Sequence, residues 1–235
     1  MALALVVYPR SFFKDKISSQ IAHRPTPVAC LKQMPENRYR LPLFPLPVVL
    51  LPGGVMPLHV FEQRYREMVV DVLNTDRNFG LIFHDWDEQG PFLAEEGRIG
   101  CLAEIQQHEA LEDGRFSLIV RGVGRFAIDE GLDQESLYFE AIVTDYTDAS
   151  AMRGEEMEFR RSESMRLFNE VLGLLPDRPD YLHDLSVRSE LSYSLAQAMQ
   201  MEFRWHQRLL EIQDEGSRLE RIDQVLRTMI RRGGV

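Results

Sequence analysis

A run of apolar residues interrupted by prolines constrains this chain more than any other stretch. It reads Leu-Pro-Leu-Phe-Pro-Leu-Pro-Val-Val-Leu-Leu-Pro over residues 41–52. Proline has no backbone N–H and its ring clashes with the preceding helical turn, so this run cannot form a helix. Its apolar residues occupy both alternating faces, which is typical of an extended segment buried on both sides. The run therefore predicts a buried extended segment at the start of the folded part.

The residues that follow indicate one helix and several short strands. Gly53-Gly54 permits a turn, and residues 57–61 are again extended and apolar. Apolar residues at helical spacing predict a helix over residues 62–73. They are Tyr65, Met68, Val69 and Val72. Further strands are predicted at residues 79–83, 99–108, 115–121, 125–128 and 137–146.

Turn signals predict how these strands connect. Asp113-Gly114 is a hairpin signal between two of them. Gly122 and Gly124 flank Val123, which predicts a bulge or a sharp corner. Residues 84–97 are predicted to form a polar loop. About six strands and one helix fit a small β-barrel that is closed or nearly closed.

The last third of the chain changes to a helical period. From residue 155 onward, apolar residues at helical spacing predict helices around Phe168, Leu195 and Leu209. A further helix around Ile222 is either separate or continues the third helix past Gly216. We therefore expect an α+β fold in which a small β-barrel with one helix precedes a C-terminal helical bundle.

Composition divides the chain into three parts. Residues 1–37 are basic and poor in acidic residues, which is typical of a flexible extension or of a cleaved leader. Small and polar residues cluster at 147–154, so we place a boundary between a barrel subdomain, residues 38–150, and a helical subdomain, residues 151–235. No apolar run is long enough for a transmembrane helix. We expect a cytoplasmic protein, or one in a plastid-like organelle if residues 1–36 are a transit peptide.

The charge distribution opposes several classes of function. The net charge is −10, and residues 41–150 alone carry −13, which repels the phosphate backbone of nucleic acids. All three lysines lie before residue 33. A phosphate-binding loop and a Ser–Lys dyad each need a lysine, so neither fits the rest of the chain. The chain has two cysteines, which excludes a disulfide scaffold and a four-cysteine zinc site.

Four blocks of sequence, in order along the chain, resemble the N-terminal domain family of Lon proteases. The first is the proline-interrupted run with Gly53-Gly54, followed by Pro-Leu-His-Val-Phe-Glu-Gln-Arg-Tyr-Arg-Glu-Met over residues 57–68. The others are residues 100–105, residues 113–128, and the pair of stretches at 207–212 and 218–222. Together they cover about residues 41–226, which is nearly the whole folded part.

The resemblance implies a PUA-like barrel followed by helices, in a domain that recognises substrates and contributes to oligomer assembly in Lon proteases. The ATPase and protease domains of that family lie further along such chains. We therefore expect a free-standing domain with no catalytic residue, cofactor or metal. The residues of the resembling motifs are expected to be structural. They are Pro45, Pro52, Gly53, His59, Phe61, Glu62, Arg64, Tyr65, Gly122, Arg125 and Phe126.

Two groups of polar side chains have both a chemical and a structural interpretation. His59 and Glu62 form an H-x-x-E pair, but a zinc protease site needs a second histidine on the same helical face. Glu62 instead suits the first turn of a helix. His84 could act with Cys101, yet Cys101 lies in an apolar strand, where cysteine is usually inert. The sequence predicts no catalytic or metal site in either group.

Two aromatic residues in the polar loop are the candidate contacts for a bound peptide. Trp86 and Phe92 stand among polar neighbours, where aromatic side chains often anchor a partner. The same residues can instead fold back and cap the end of the barrel. Both interpretations remain open at this point.

These observations favour a non-enzymatic module that binds unfolded or partner protein segments. The segment's apolar side chains would occupy a groove between barrel and helices, and its main chain would pair with a free strand edge. A separate protease is a second expected partner, by analogy with the resembling family. RNA binding is an alternative because PUA-like barrels often bind RNA, although the charge opposes it. A hydrolase in its own right is a third, which the missing dyad opposes. No membrane partner is expected.

Overall fold

The computed structural model describes residues 38–132, 136–149, 154–174, 190–199 and 201–233. The expectations for residues 1–37 lie outside these described residues. Six strands and six helices are present in the described part. They are β1 (Arg38–Leu46), β2 (Val55–Val60), α1 (Gln63–Leu73), β3 (Asn78–Phe83), α2 (Trp86–Gln89), β4 (Ile99–Ala110), β5 (Phe116–Gly131), β6 (Phe139–Asp145), α3 (Glu155–Leu174), α4 (Leu191–Ala198), α5 (Phe203–Leu210) and α6 (Glu215–Arg231).

All six strands join one mixed sheet in the order β2-β5-β4-β3-β1-β6. β1 pairs in parallel with β3, and the other pairs are antiparallel. β5 also pairs with β6, so the pairing runs from β5 through β4, β3, β1 and β6 back to β5. Among the described strands, β2 pairs with β5 alone and therefore lies outside this ring.

β1 confirms the prediction made from the proline-interrupted run. Leu41 and Leu43 are buried in the smaller of two apolar cores, and Phe44 and Leu46 are buried in the larger one. The strand is thus covered on both faces, as its pattern indicated. It is shorter than the run, because Val48–Leu51 are buried but are not part of a strand.

β5 corrects the division of residues 115–128 into two strands. Leu102 of β4 faces Gly124, whereas the next residue, Ala103, faces Gly122. Val123 is therefore the extra residue of a β-bulge, which bends the strand without ending it. The predicted bulge is confirmed, and the strand continues through it.

The helices agree with the sequence except at two places. α1 starts one residue after Glu62, and the four apolar residues predicted for its buried face are buried. The short helix α2 lies inside the predicted polar loop, where the Asp85 carboxylate accepts a hydrogen bond from the Asp87 N–H. α6 is a separate helix because Asp214 caps its start by accepting from the Ser217 N–H. Of the two possibilities left open for the helix around Ile222, the separate helix is therefore the one observed.

The larger core is shared by the sheet and the helices. It contains residues of β2 and β5, such as Leu58 and Val120, together with Leu209 of α5 and Leu226 of α6. Residues 150–153, where the boundary between subdomains was predicted, lie outside the described residues. Packing nevertheless continues from one predicted subdomain into the other.

Candidate functional site

The terminal strand β2 forms an open edge of the sheet. The Gly122 N–H donates to the Gly54 carbonyl oxygen at 2.9 Å, which sets the hydrogen-bonding phase between β5 and β2. Residues two apart in a strand share the same orientation, so the even-numbered residues of β2 direct their main-chain groups toward β5, as Gly54 does with its carbonyl oxygen. The three odd-numbered residues of β2 direct their main-chain groups away from β5. These residues are Val55, Pro57 and His59. We call their outward main-chain groups the outer edge.

The outer edge has no hydrogen-bond partner within the part of the chain that the structure describes. Val55 and His59 each present an N–H and a carbonyl oxygen, whereas Pro57 presents a carbonyl oxygen alone. The edge thus offers two donors and three acceptors in an extended row. An added strand is the partner that satisfies such a row, because its own groups repeat with the same spacing.

Exposed apolar side chains lie beside the outer edge, together with the partly exposed His59 and the exposed Arg121, which pairs opposite Val55. Val55 is 54% exposed, and Val123 in the bulge of the neighbouring strand is 47% exposed. Beneath them Leu58 and Val60 are buried and hold β2 on the core. The part of β4 beyond its pairing with β3 differs, because its residues 106–110 lie beside β5 alone among the described strands and are exposed and mostly polar. Polar side chains discourage pairing at an edge, so the exposed valines distinguish β2 from this part of β4.

His59 and Glu62 make separate contacts in the structure. The His59 ring lies 6.3 Å from the Phe61 ring in a stacked arrangement. Glu62 precedes α1 and its carboxylate accepts from the Arg64 Nε at 3.0 Å. Within the described ranges, no group of three histidine, cysteine, aspartate or glutamate side chains could hold a metal ion. His59, Phe61 and Glu62 thus lie at the connection between β2 and α1.

Arg64 packs on a set of aromatic rings. Its guanidinium carbon lies 4.6 Å from the ring centre of Tyr65, 5.6 Å from that of Phe139 and 5.8 Å from that of Trp86. Tyr65 is buried, and burial raises the pKa of its hydroxyl well above the ordinary value. The arrangement joins α1, α2 and β6 and supports the structural interpretation of both motif residues.

The structure brings Trp86 and Phe92 together through His84. Phe92 is only 3% exposed, with its ring 5.2 Å from the His84 ring and 4.8 Å from the Phe139 ring. Trp86 lies 4.5 Å from His84 and remains partly exposed on α2. Phe92 therefore adopts the capping arrangement, while Trp86 remains partly exposed.

The His84 and Cys101 side chains are buried in separate structural roles. The His84 Nε2 lies 2.8 Å from the Gly90 carbonyl oxygen, and burial lowers the pKa of the imidazole. Cys101 is completely buried, and burial raises the pKa of its thiol far above the ordinary value. A thiol held in this way is a poor nucleophile.

Arg125 belongs to a buried polar cluster between the sheet and the helices. Its Nη1 donates to the carbonyl oxygens of Leu210 at 2.6 Å and Ile212 at 2.9 Å, where α5 ends. Its Nη2 donates to Asp148, which also accepts from the two Nη atoms of Arg218 at 2.7 and 2.5 Å. Both arginine side chains are almost completely buried. The cluster holds α5 and α6 on the sheet.

Sequence reasoning missed the partners of Arg125. Asp148 stands in a polar segment and Arg218 in an amphipathic helix, and neither position departs from its local pattern. The two residues are brought together only by the packing of α6 on the sheet. Burial on its own raises the pKa of Asp148, but hydrogen bonds and charge from Arg218 and then Arg125 outweigh it, so the pKa lies below its ordinary value.

The remaining motif residues support close packing of backbone and rings. Gly122 lies against the Leu51 carbonyl oxygen, which a Cβ at that position would approach to 2.4 Å. Gly53 has a φ of +76° and its N–H donates to the Gly122 carbonyl oxygen at 2.8 Å. The Pro52 carbonyl oxygen accepts from Gln197 of α4 at 3.0 Å.

Phe126 and Pro45 belong to the sheet around the smaller core. The Phe126 ring covers Gly100, where a Cβ would lie 2.4 Å from it. Pro45 pairs with Ile82 of β3.

None of the described helices is long and apolar enough to cross a membrane.

Comparison with protein families gives one match over most of the chain. Residues 40–228 match the ATP-dependent protease La (LON) substrate-binding domain. Lon protease 2 of Myxococcus xanthus is 31% identical over 141 residues, and Lon protease of Anaeromyxobacter dehalogenans is 30% identical over 141 residues. Each alignment covers 59% of this chain and 17% of the relative. The chain thus matches about a sixth of the length of these relatives.

Two solved structures share the architecture. The Lon N-terminal domain protein from Xanthomonas campestris has a TM-score of 0.54 at 24% identity, and the match covers 80% of this chain and 97% of that one. The N-terminal domain of the Mycobacterium avium complex Lon protease has a TM-score of 0.61 at 20% identity, covering 80% and 98%. At these identities the likeness concerns the fold, a mixed sheet with helices.

Proposed function

Because the chain belongs to the LON substrate-binding domain family, we propose that it binds extended segments of other proteins, which add as a strand to the outer edge of β2. The observation that carries the proposal is the row of donors and acceptors at Val55, Pro57 and His59, which have no partner among the residues that the structure describes. The bound class is then unfolded or locally unfolded protein, since a folded protein rarely offers a free strand.

Binding through the main chain explains how one site accepts many sequences. The N–H groups of Val55 and His59 donate to the segment, and the three outward carbonyl oxygens accept from it. The exposed Val55 side chain adds an apolar contact that favours unfolded over native proteins. Such binding needs no catalytic group, so we propose a non-enzymatic module that presents clients to a separate protease.

Trp86 supplies a second proposed contact for the segment. Its partly exposed ring is held from below by His84 and the buried Phe92. The Trp86 Nε1 has no hydrogen-bond partner in the described part of the chain. The Nε1 is itself buried, so a client would contact the partly exposed remainder of the ring through its apolar surface. Phe92 then helps to position the Trp86 ring through His84, while Trp86 contacts the client segment.

The ring of strand pairings is consistent with the predicted PUA-like barrel. In this proposal β5, β4, β3, β1 and β6 form the wall, and the smaller core fills the interior. β2 then serves as an appended strand whose outer side stays available.

Replacing His59 tests the outer edge directly. His59→Pro removes an outward N–H, and the preceding Leu58 is already in a strand, so pairing with β5 is retained. We expect at least a fivefold loss of affinity for fluorescein-labelled, reduced and carboxymethylated lysozyme, measured by fluorescence anisotropy at full chain length. The matched variant His59→Thr loses the same imidazole but keeps the N–H, and should bind within about twofold of the wild type.

Thermal unfolding followed by circular dichroism checks that both variants fold. Equal binding by His59→Pro and His59→Thr would show that the N–H is not used. Absence of binding by the wild-type chain would refute strand addition altogether. Client capture that disappears at high salt would point to charge rather than main-chain pairing.

A further inference from the structure

Pro57 occupies the centre of the outer edge. Val55 and His59 lie on either side of it, two residues away in each direction. Of these three residues, Pro57 is the one without an N–H. Pairing with β5 is unaffected, because the ring nitrogen replaces a donor that would face outward.

A second copy of this chain carries the same outer edge, so two copies could pair through β2. Antiparallel pairing about a twofold axis at Pro57 would set Val55 opposite His59 and Pro57 opposite Pro57. Three residue pairs would exchange six hydrogen bonds, and the two prolines would remove two of them. Sliding the strands by two residues sets each Pro57 opposite Val55 or His59, so two bonds are still lost and the overlap is shorter.

A client segment without proline loses fewer hydrogen bonds when it pairs with the same edge. Its N–H opposite Pro57 still donates to the Pro57 carbonyl oxygen, so one bond of six is lost instead of two. The segment also avoids the contact between two pyrrolidine rings. The difference between a second copy and a client therefore arises at this one residue.

We propose that Pro57 determines the specificity of the outer edge, by weakening pairing between two copies of this chain more than it weakens pairing with a client. The part that concerns clients rests on the proposed function, whereas the part that concerns self-pairing rests on the geometry of β2 alone.

The side chains of the edge do not perform this task. They belong to Val55, Pro57 and His59, and Val55 is 54% exposed, so apolar surface is available for association. Residues 106–110 of β4 are exposed and mostly polar instead, including Glu109, and these side chains oppose pairing there. Replacing Pro57 would thus remove the feature that opposes pairing of β2 with a second copy.

Sedimentation equilibrium of the full chain tests the self-pairing. Pro57→Thr restores the missing N–H with a residue that favours strands. We expect self-association at least tenfold tighter than that of the wild type, because two hydrogen bonds are regained per dimer. The matched double variant P57T/H59P returns one proline to the edge and again lacks two bonds, so its association should fall back to the wild-type level.

A Pro57→Thr protein that associates no more tightly than the wild type overturns the proposal. The proposal also fails if the double variant associates as strongly as Pro57→Thr, since threonine rather than strand pairing would then be responsible. Client binding is measured in parallel with labelled, carboxymethylated lysozyme below the association range. If Pro57→Thr associates but the wild type binds no client, the proposed function fails while the role of Pro57 in self-pairing stands.

Discussion

Asp148 is a single carboxylate shared by two buried guanidinium groups. Its carboxylate accepts from both Arg125 and Arg218, whose side chains are 4% and 0% exposed. The arginines also donate to carbonyl oxygens near the end of α5, so each is well supplied with hydrogen bonds. Removing the carboxylate leaves the two buried positive charges with only the more distant charge of Glu215 on Arg218, which is more costly than losing an exposed ion pair.

Asp148→Asn should therefore lower the free energy of unfolding by about 2 kcal/mol at pH 7, measured by urea denaturation. This loss is less than for a fully buried pair, because the Asp148 side chain is itself 35% exposed. The pKa of Asp148 lies below its ordinary value in the folded protein. Its stabilisation is thus fully present above the pKa of the unfolded chain and is lost as the pH falls through the folded pKa. The difference between wild type and variant should shrink below about pH 4.

Glu170→Gln is the control, because Glu170 pairs with Arg166 on an exposed surface. We expect a change below about 0.5 kcal/mol there. A pH-independent difference between wild type and Asp148→Asn would show that the carboxylate acts through its shape rather than its charge.

The local sequence pattern predicted which single residues are buried wherever burial follows a short repeat. The four buried residues of α1 were predicted from their spacing alone. The Arg125 cluster could not be predicted in this way, because its members come from β5, the segment after β6, and α6. The burial of Phe92 was one of two open interpretations, since a polar loop does not reveal which way an aromatic ring turns.

At the level of elements, the bulge in β5 depends on the close approach of Gly122. A Cβ there would lie 2.4 Å from the Leu51 carbonyl oxygen and 2.9 Å from the Cys101 sulfur. Gly122→Ala should lower the free energy of unfolding by about 2 kcal/mol, because backbone and core must both shift. Gly124→Ala is a matched control in the same bulge, since a Cβ there meets nothing within 4 Å.

Chemical denaturation of both variants measures this difference. The control should stay within about 0.5 kcal/mol of the wild type. Equal losses for the two glycines would mean that the strand needs general backbone freedom, and that the contact with Leu51 is unimportant.

Elements were predictable where periodicity and turn residues agree. The hairpin at Asp113-Gly114 joins β4 and β5 as expected. The continuity of β5 could not be predicted, because two glycines around one valine suit a corner as well as a bulge. α2 was missed because four residues are too few to show a helical period.

For the molecule as a whole, the two cores predict a single cooperative unfolding transition. β1 contributes Leu43 to the smaller core and Phe44 to the larger, so neither core can open without disturbing this strand. The two tryptophans report on different cores, Trp86 packing on the smaller and Trp205 lying within the larger.

Single-tryptophan variants test this coupling. In Trp205→Phe and Trp86→Phe, the urea midpoint from fluorescence should coincide with the midpoint from far-ultraviolet circular dichroism in the same variant. A fluorescence transition of Trp86 that comes clearly before or after the loss of secondary structure would show that the cores unfold independently.

The arrangement of the whole sheet lay beyond sequence patterns. Alternating strands and a final set of helices predicted the fold class. The parallel pairing of β1 with β3 and the return of β6 to β5 depend on contacts between distant segments, which no local pattern specifies.

β1 is synthesised before every other described strand, yet it acquires one of its neighbours last. Arg40 bonds to Glu140 of β6, one hundred residues later in the chain. At about 5–20 residues per second, translation leaves the apolar run without that neighbour for roughly 5–20 seconds. The nascent chain carries an aggregation-prone segment during this interval. The prolines within it interrupt stacking into intermolecular sheets, so they protect the newly made chain before the native sheet exists.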